Sequence, residues 1–229
     1  MFREAFAEAV RDYYLFINRG YPTKGVLKLV GDRFRLSGEE RNILYRGVVS
    51  KEVAERRQAR RVPLPGGVRG GGTITVDGHN VLFTLVNYLQ GRTSFVAVDG
   101  YLRDSGNPTR RVRAGAEFDR AARELGSYLH ALEPARINVI FDEPVTYSKD
   151  HVGHVRTLWE ELDLSQRSEL FLVPSADQEI KQSEADVLAT TDSTLIDATS
   201  APIADVARWI VEEAFHADLT PLARYLQPC

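Results

Sequence analysis

The sequence predicts an α/β chain: a mostly parallel sheet of about five strands, helices on both faces, and a small all-α module in front. Three observations lead there. Apolar residues recur every three or four positions from Phe2 to Val48, and the period changes beyond a Pro/Gly-rich tract. Short β-rich runs then alternate with helical patterns, which implies parallel strands joined by helical crossovers. Each β-rich run also ends in, or just before, an aspartate.

Taken in order, Phe2, Phe6, Ala9/Val10, Tyr13 and Phe16/Ile17 form one face of a first helix, which Gly20-Tyr21-Pro22 ends. Thr23 is the expected N-cap of a second helix through Val26, Leu27, Val30 and Phe34. Ser37 and Glu40 have the spacing of a capping box opening a third helix through Ile43, Leu44 and Val48. The expected boundaries are a basic helical module over 1–62, a linker over 63–72 and an α/β domain over 73–229. The five strands expected in that domain are 73–77, 94–99, 137–142, 170–173 and 186–191. Helices are expected around Val81–Leu89, Phe118–Leu132 and Val152–Leu162, with a last one beginning at Pro202.

Composition excludes several classes. With 229 residues, 43% hydrophobic and 27% charged, the chain is neither disordered nor collagen-like. No apolar run approaches the roughly 18 residues of a membrane span. Acids interrupt the first residues where a signal peptide needs an apolar core, so a cytoplasmic protein with no membrane partner is expected. The one cysteine, Cys229, excludes a disulfide framework and a cysteine zinc site. Residues 1–72 carry 15 Lys/Arg against 8 Asp/Glu, whereas the remainder carries 14 against 24. A basic module on an acidic body suits a polyanion gripped by one part and processed by the other; two differently solvated surfaces account for it equally well.

The aspartates carry the chemistry. The runs TITVD, FVAVD, NVIFD, FLVPSAD and VLATTD place Asp77, Asp99, Asp142, Asp177 and Asp192 at strand ends. In an open parallel sheet those ends share one edge, where ligands bind. Crowded carboxylates need cations, and oxygen donors suit one or two Mg²⁺ or Mn²⁺ ions able to assist phosphodiester hydrolysis. Aspartate also caps helices that follow strands, which accounts for one or two of the five. Other chemistry finds little support. The tract Gly66–Gly72 precedes a strand, whereas a phosphate-cradling loop follows one. His151 and His154, three apart on a helix, read as a solvated pair, and Ser175, Ser183 and Ser193 lack a nucleophile elbow.

Together these residues resemble the PIN-like nuclease superfamily, with its NYN and flap-endonuclease branches. Val76-Asp77-Gly78-His79-Asn80 is similar to its first-strand motif, and Val139-Ile140-Phe141-Asp142 to a later one. Val173–Ile180 resembles the segment presenting an acid at a helix start, and Ala189–Ser193 resembles a Thr-x-Asp motif. The resemblance implies that Asp77, Asp142, Asp177 and Asp192 are catalytic metal ligands of a nuclease. The substrate it implies is RNA more than DNA, and the products a 5′-phosphate and a 3′-hydroxyl. Asn80, Ser193 and Asp99 would orient ligands or water, with Asp104 ranked beside Asp99. The helix after Asp177 is short for the family, so Glu184 or Asp186 is an alternative third acid; Thr194 stands where the flap-endonuclease branch has another aspartate. That departure leaves open a catalytically incomplete module that binds nucleic acid or protein. A haloacid-dehalogenase-type phosphatase would need an acid where His79 stands.

Nucleic-acid contacts are expected from Arg56, Arg57, Arg60 and Arg61; Arg110, Arg111 and Arg113 fit phosphate contacts near the active edge and a solvated loop equally well. The segment from Gly20 to Arg41 resembles a helical module known as domain of unknown function 434. Residues 23–49 fit either a helix-turn-helix or a module that docks on the sheet.

Overall fold

The computed structural model describes residues 2–63, 71–106, 111–183 and 185–226. Arg110, Glu184 and most of the Pro/Gly-rich tract lie outside the described residues. Four helices come first: α1 (Glu4–Asn18), α2 (Thr23–Arg33), α3 (Gly38–Gly47) and α4 (Lys51–Gln58). Next are β1 (Thr73–Asp77), α5 (Gly78–Leu89), β2 (Ser94–Val96), β3 (Leu102–Asp104) and α6 (Ala116–Leu132). Then follow β4 (Arg136–Asp142), α7 (Ser148–Glu160), β5 (Ser168–Val173) and α8 (Ala176–Gln182). The chain continues through β6 (Val187–Ala189), α9 (Ser193–Ala198), β7 (Ile203–Ala204) and α10 (Val206–Trp209). These elements fall into two compact units, one of residues 2–59, 93–105 and 218–226, the other of 60–92, 106–106 with 111–183, and 185–217.

The first unit is helical with one small hairpin. Phe6, Ala9, Val10 and Tyr13 are fully buried on one face of α1 at helical spacing, against Val26, Val30, Ile43 and Leu44. The capping box forms: Ser37 Oγ accepts the Glu40 N–H at 3.1 Å, and Glu40 Oε2 accepts the Ser37 N–H at 2.8 Å. Pro22, rather than Thr23, is the N-cap of α2.

The segment expected as a strand over 94–99 belongs to this unit and not to the parallel sheet. Only β2 is extended, and it pairs antiparallel with β3. Between them Gly100 takes φ +83°, a turn that glycine adopts without steric cost, and its N–H reaches Ala97 O at 2.9 Å. Phe95, Ala97 and Val98 enter the helical core, so their apolar run reflects burial among helices and not burial in a sheet.

The second unit is a three-layer α/β/α domain. Its five strands are all parallel, in the order β5-β4-β1-β6-β7. α5, α6 and α7 pack together on one face and α8 and α9 on the other, the arrangement expected of right-handed crossovers. Ile74, Val76, Ile137, Val139 and Phe141 are fully buried between the layers. Trp159 on α7 donates its indole N–H to Ala122 O on α6 at 2.9 Å, satisfying a buried polar group within the helical layer.

The fifth strand is β7, where a helix starting at Pro202 was expected. Ile203 bridges to Arg61 as well as to Leu188, and its N–H and C=O bond to Arg60 O and Val62 N at 2.8 and 2.9 Å. A helix begins only after Asp205, whose carboxylate accepts the Arg208 N–H at 3.0 Å as its cap.

Candidate metal centre

Strand order reverses at β1: the chain proceeds from β1 to β4 and β5 on one side, then returns to β6 on the other. Beyond the carboxyl ends of β1 and β6 therefore lies the topological switch point, where open α/β sheets bind ligands. Asp77 ends β1, Asp142 ends β4, Asp177 is the second residue of α8 after β5, and Asp192 caps α9 after β6. The sheet thus presents all four at one edge. Gly78 is required beside Asp77, because a Cβ there would lie 2.8 Å from the Phe141 ring and 3.0 Å from Ile140 O.

Their charges act on one another. Burial pushes the Asp77 carboxyl up to about 7, a hydrogen bond from Thr190 opposes this, and the charges of Asp192 and Asp142 raise it further. Asp177 is also raised, first by burial and then by Asp192 and Asp142, with Lys181 opposing. Among the described residues no Lys, Arg or His forms an ion pair with Asp77, Asp142 or Asp192.

Hydroxyls and backbone amides set the positions. Thr190 Oγ1 donates to Asp77 Oδ2 at 2.9 Å and accepts the Asp192 N–H at 3.0 Å. Asn80 Oδ1 accepts from the Thr191 N–H and hydroxyl at 2.8 and 2.9 Å, tying α5 to the loop after β6. Asp142 Oδ1 accepts the Ala176 N–H at 2.8 Å, and Asp192 Oδ1 accepts that of Thr194 at 2.6 Å. Ser193 opens α9 with its side chain half-buried.

Two histidines extend this network, and sequence reasoning missed both. The Asp142 N–H points at His79 Nδ1 at 3.2 Å, His79 Nε2 lies 3.3 Å from His151 Nδ1, and His151 Nε2 lies 3.1 Å from Val112 O. A backbone N–H only donates and a carbonyl only accepts, so each ring carries its hydrogen on Nε2. Burial lowers both; His79 falls to about 3 with His151 contributing, and the pair is neutral. His151 is therefore fully buried, not solvated, and His154 instead bonds Asp119 at 2.8 Å. The helix period of α7 carried a signal for this, since His151 falls on the face of Val152, Val155 and Trp159.

The remaining candidates lie elsewhere. Asp99 is in the first unit, fully buried, with Arg57 at 2.8 Å and Arg103 at 3.3 Å. Arg57 is thereby drawn inside and is no surface phosphate contact, and Asp99 stands at no sheet edge. Asp104 is buried 3.6 Å from Arg46. Arg60 donates to the carbonyls of Ile196 and Ala201 and, at 2.9 Å, to Thr199 Oγ1, which is a structural role. Asp186 accepts the Thr73 N–H at 2.7 Å, at the amino end of β1 and so the opposite edge from Asp77. Arg56, Arg61 and Arg111 are exposed, whereas Arg110 and Glu184 fall outside the described residues.

An oxygen-only donor set with no ion-paired cation at Asp77, Asp142 or Asp192 among the described residues is of the kind that could hold a hard divalent ion, with Asp77, Asp142, Asp177 and Asp192 as the residues that would supply the ligands. Among the described residues no three His, Cys, Asp or Glu side chains are grouped to hold an ion as they stand. Asp142 and Asp192 are turned onto helix N–H groups, an alternative that backbone donors offer a carboxylate. Among the described residues no helix is long and apolar enough to cross a membrane.

Residues 69–209 match the family described as Domain of unknown function (DUF5616), and residues 5–60 match one described as Protein of unknown function (DUF434). The second match falls on the segment whose residues resemble that module. An uncharacterised protein of Methanocaldococcus jannaschii is 28% identical over 189 residues, covering 82% of this chain and 88% of its own length. Neither family description mentions a nuclease, and no solved structure matches.

Proposed function

We propose that this chain, which belongs to the DUF5616 family, is a cytoplasmic metal-dependent nuclease that hydrolyses phosphodiester bonds in RNA. One observation carries the reading: four aspartates meet at the switch point of a parallel sheet, with Asp77 raised to about 7 and no cation paired to Asp77, Asp142 or Asp192 among the described residues. The resemblance to the PIN-like superfamily supports it through the order of the four motifs. Mg²⁺ or Mn²⁺ would neutralise the carboxylates, orient a phosphate oxygen and favour an ionised water at neutral pH. The chain's own part is to hold the ligands. Thr190 and Asn80 fix Asp77 and the loop after β6, while His79 and the Ala176 N–H fix Asp142. Burial keeps solvent off Asp77, so a cation would meet its ionised carboxylate unscreened by water.

The test is cleavage of labelled single-stranded RNA and DNA in Mn²⁺, Mg²⁺ and EDTA by wild type, Asp77→Asn and Asp142→Asn. Metal-dependent cleavage of RNA that both substitutions abolish is the expected result; undiminished turnover in both variants sinks the assignment. A second reading, a binding module that does not cut, is favoured by the engagement of Asp142 and Asp192 with backbone amides. It predicts strand binding with no thermal shift in Mn²⁺.

A further inference from the structure

We infer that an open pocket between the segment before α6 and the start of α7 is a subsite for one unpaired nucleotide of a single-stranded polynucleotide. It measures about 450 Å³ and its walls include Arg113, Tyr147, Lys149, Asp150 and His154. The inference rests on the nuclease reading for the identity of its ligand.

The pocket's chemistry is that of a stacking platform with a charge beside it. The Arg113 guanidinium carbon lies 4.9 Å over the centre of the Tyr147 ring, a cation set on an aromatic face at the pocket wall. At an exposed site such a stack contributes only about 0.5–1 kcal/mol, comparable to the entropy lost in ordering an arginine, so stability gives it little purpose. A nucleobase stacks on either plane without regard to sequence, and Lys149 supplies a point charge for the adjoining phosphate. Asp150 in the wall and Asp119, bonded to His154 at 2.8 Å, offset the charges of Arg113 and Lys149, so Lys149 acts as a local point charge and not as part of a basic patch.

Its connection to the carboxylate edge is direct. Tyr147 ends the loop that starts at Asp142, and that loop is folded on itself by Val145 N–H to Asp142 O at 3.4 Å and Ser148 N–H to Val145 O at 3.0 Å. From the other wall, Val112, the neighbour of Arg113, receives the His151 N–H that ends the chain beginning at the Asp142 N–H. Both walls are thus anchored to the backbone of one proposed metal ligand. A strand cleaved at the carboxylates would lay a neighbouring nucleotide here.

The full chain is titrated, in EDTA to prevent turnover, into a fluorescein-labelled single-stranded oligouridylate and its DNA counterpart, and anisotropy is read. Tyr147→Ala and Lys149→Glu should each weaken binding about tenfold, a loss typical of one stacked base or one phosphate contact, while Tyr147→Phe keeps wild-type affinity. Unchanged affinity in both variants, or no binding by the wild type, overturns the subsite. Cleavage that is lost in Asp77→Asn while Tyr147→Ala binds normally removes the subsite and leaves the nuclease. Binding that falls in Tyr147→Ala, with no cleavage by wild type under any metal, keeps the subsite and removes the nuclease.

Discussion

His79 accepts the backbone N–H of Asp142 at 3.2 Å, so an imidazole from the first turn of α5 fixes the carboxyl end of the neighbouring strand β4. Its ring also packs against Phe83, Phe141 and His151. His79→Ala removes the acceptor and the packing together and should destabilise the fold by about 2–4 kcal/mol in urea titration. His79→Asn keeps an acceptor oxygen near the position of Nδ1. It should recover most of the cleavage rate and the Mn²⁺ dependence, a rescue that lost packing alone would not show.

Asp77 makes stability depend on pH in a predictable sense. Its carboxyl titrates near 3.8 in the unfolded chain and at about 7 in the folded one, so the folded state holds the proton more tightly. The fold is unaffected by this group below pH 4, loses stability as pH rises from about 4 to 7, and above that carries a cost of roughly 4 kcal/mol. Asp77→Asn removes the charge, so at pH 8 it should be more stable than wild type and show a flatter profile across that window. Chemical denaturation at several pH values measures the difference; identical profiles for the two proteins would show that Asp77 is not raised.

Metal should reverse that cost. A cation that binds the ionised carboxylates binds only the folded chain, which at a hundredfold excess over Kd adds about 2.7 kcal/mol, or roughly 5–10 °C in Tm. Mn²⁺ should therefore raise the Tm of wild type at pH 8, EDTA should remove the rise, and Asp77→Asn should lose most of it. Differential scanning fluorimetry reads all three.

How much of this was legible in the sequence follows from the range of each interaction. The capping box of Ser37 and Glu40 is local, and it is found where the spacing places it. The four aspartates were legible because a parallel sheet gathers strand ends whatever lies between them. Ser94–Asp99 and Ile203–Ala204 were not, because a buried apolar run has the same pattern beside helices as between strands; only long-range pairing decides. Arg57 was read as a surface charge because periodicity does not reveal that its partner, Asp99, is 42 residues away. His79 and His151 were invisible for the same reason: a neutral buried histidine is recognised by its acceptors, and these come from β4 and from the segment before α6.

Arg57 and Asp99 give the last prediction, which separates structural from functional charge. Asp99 Oδ2 takes Arg57 at 2.8 Å and Arg103 at 3.3 Å, while Oδ1 takes the Tyr101 N–H at 3.2 Å. Both guanidiniums are thus buried around a carboxylate that they share. Removing the carboxylate leaves two like charges without their shared counterion in a poorly hydrated site, which costs more than the net worth of the intact cluster. Asp99→Ala should lower stability by about 3–5 kcal/mol, and Arg57→Ala by less, because Arg103 still neutralises Asp99. At temperatures where they remain folded, both variants should cleave RNA at the wild-type rate, in contrast to Asp77→Asn. Urea titration and a cleavage assay on the same preparations check the two halves. A folded Asp99→Ala protein with no cleavage would return Asp99 to the list of functional acids, where strand-end logic alone had put it.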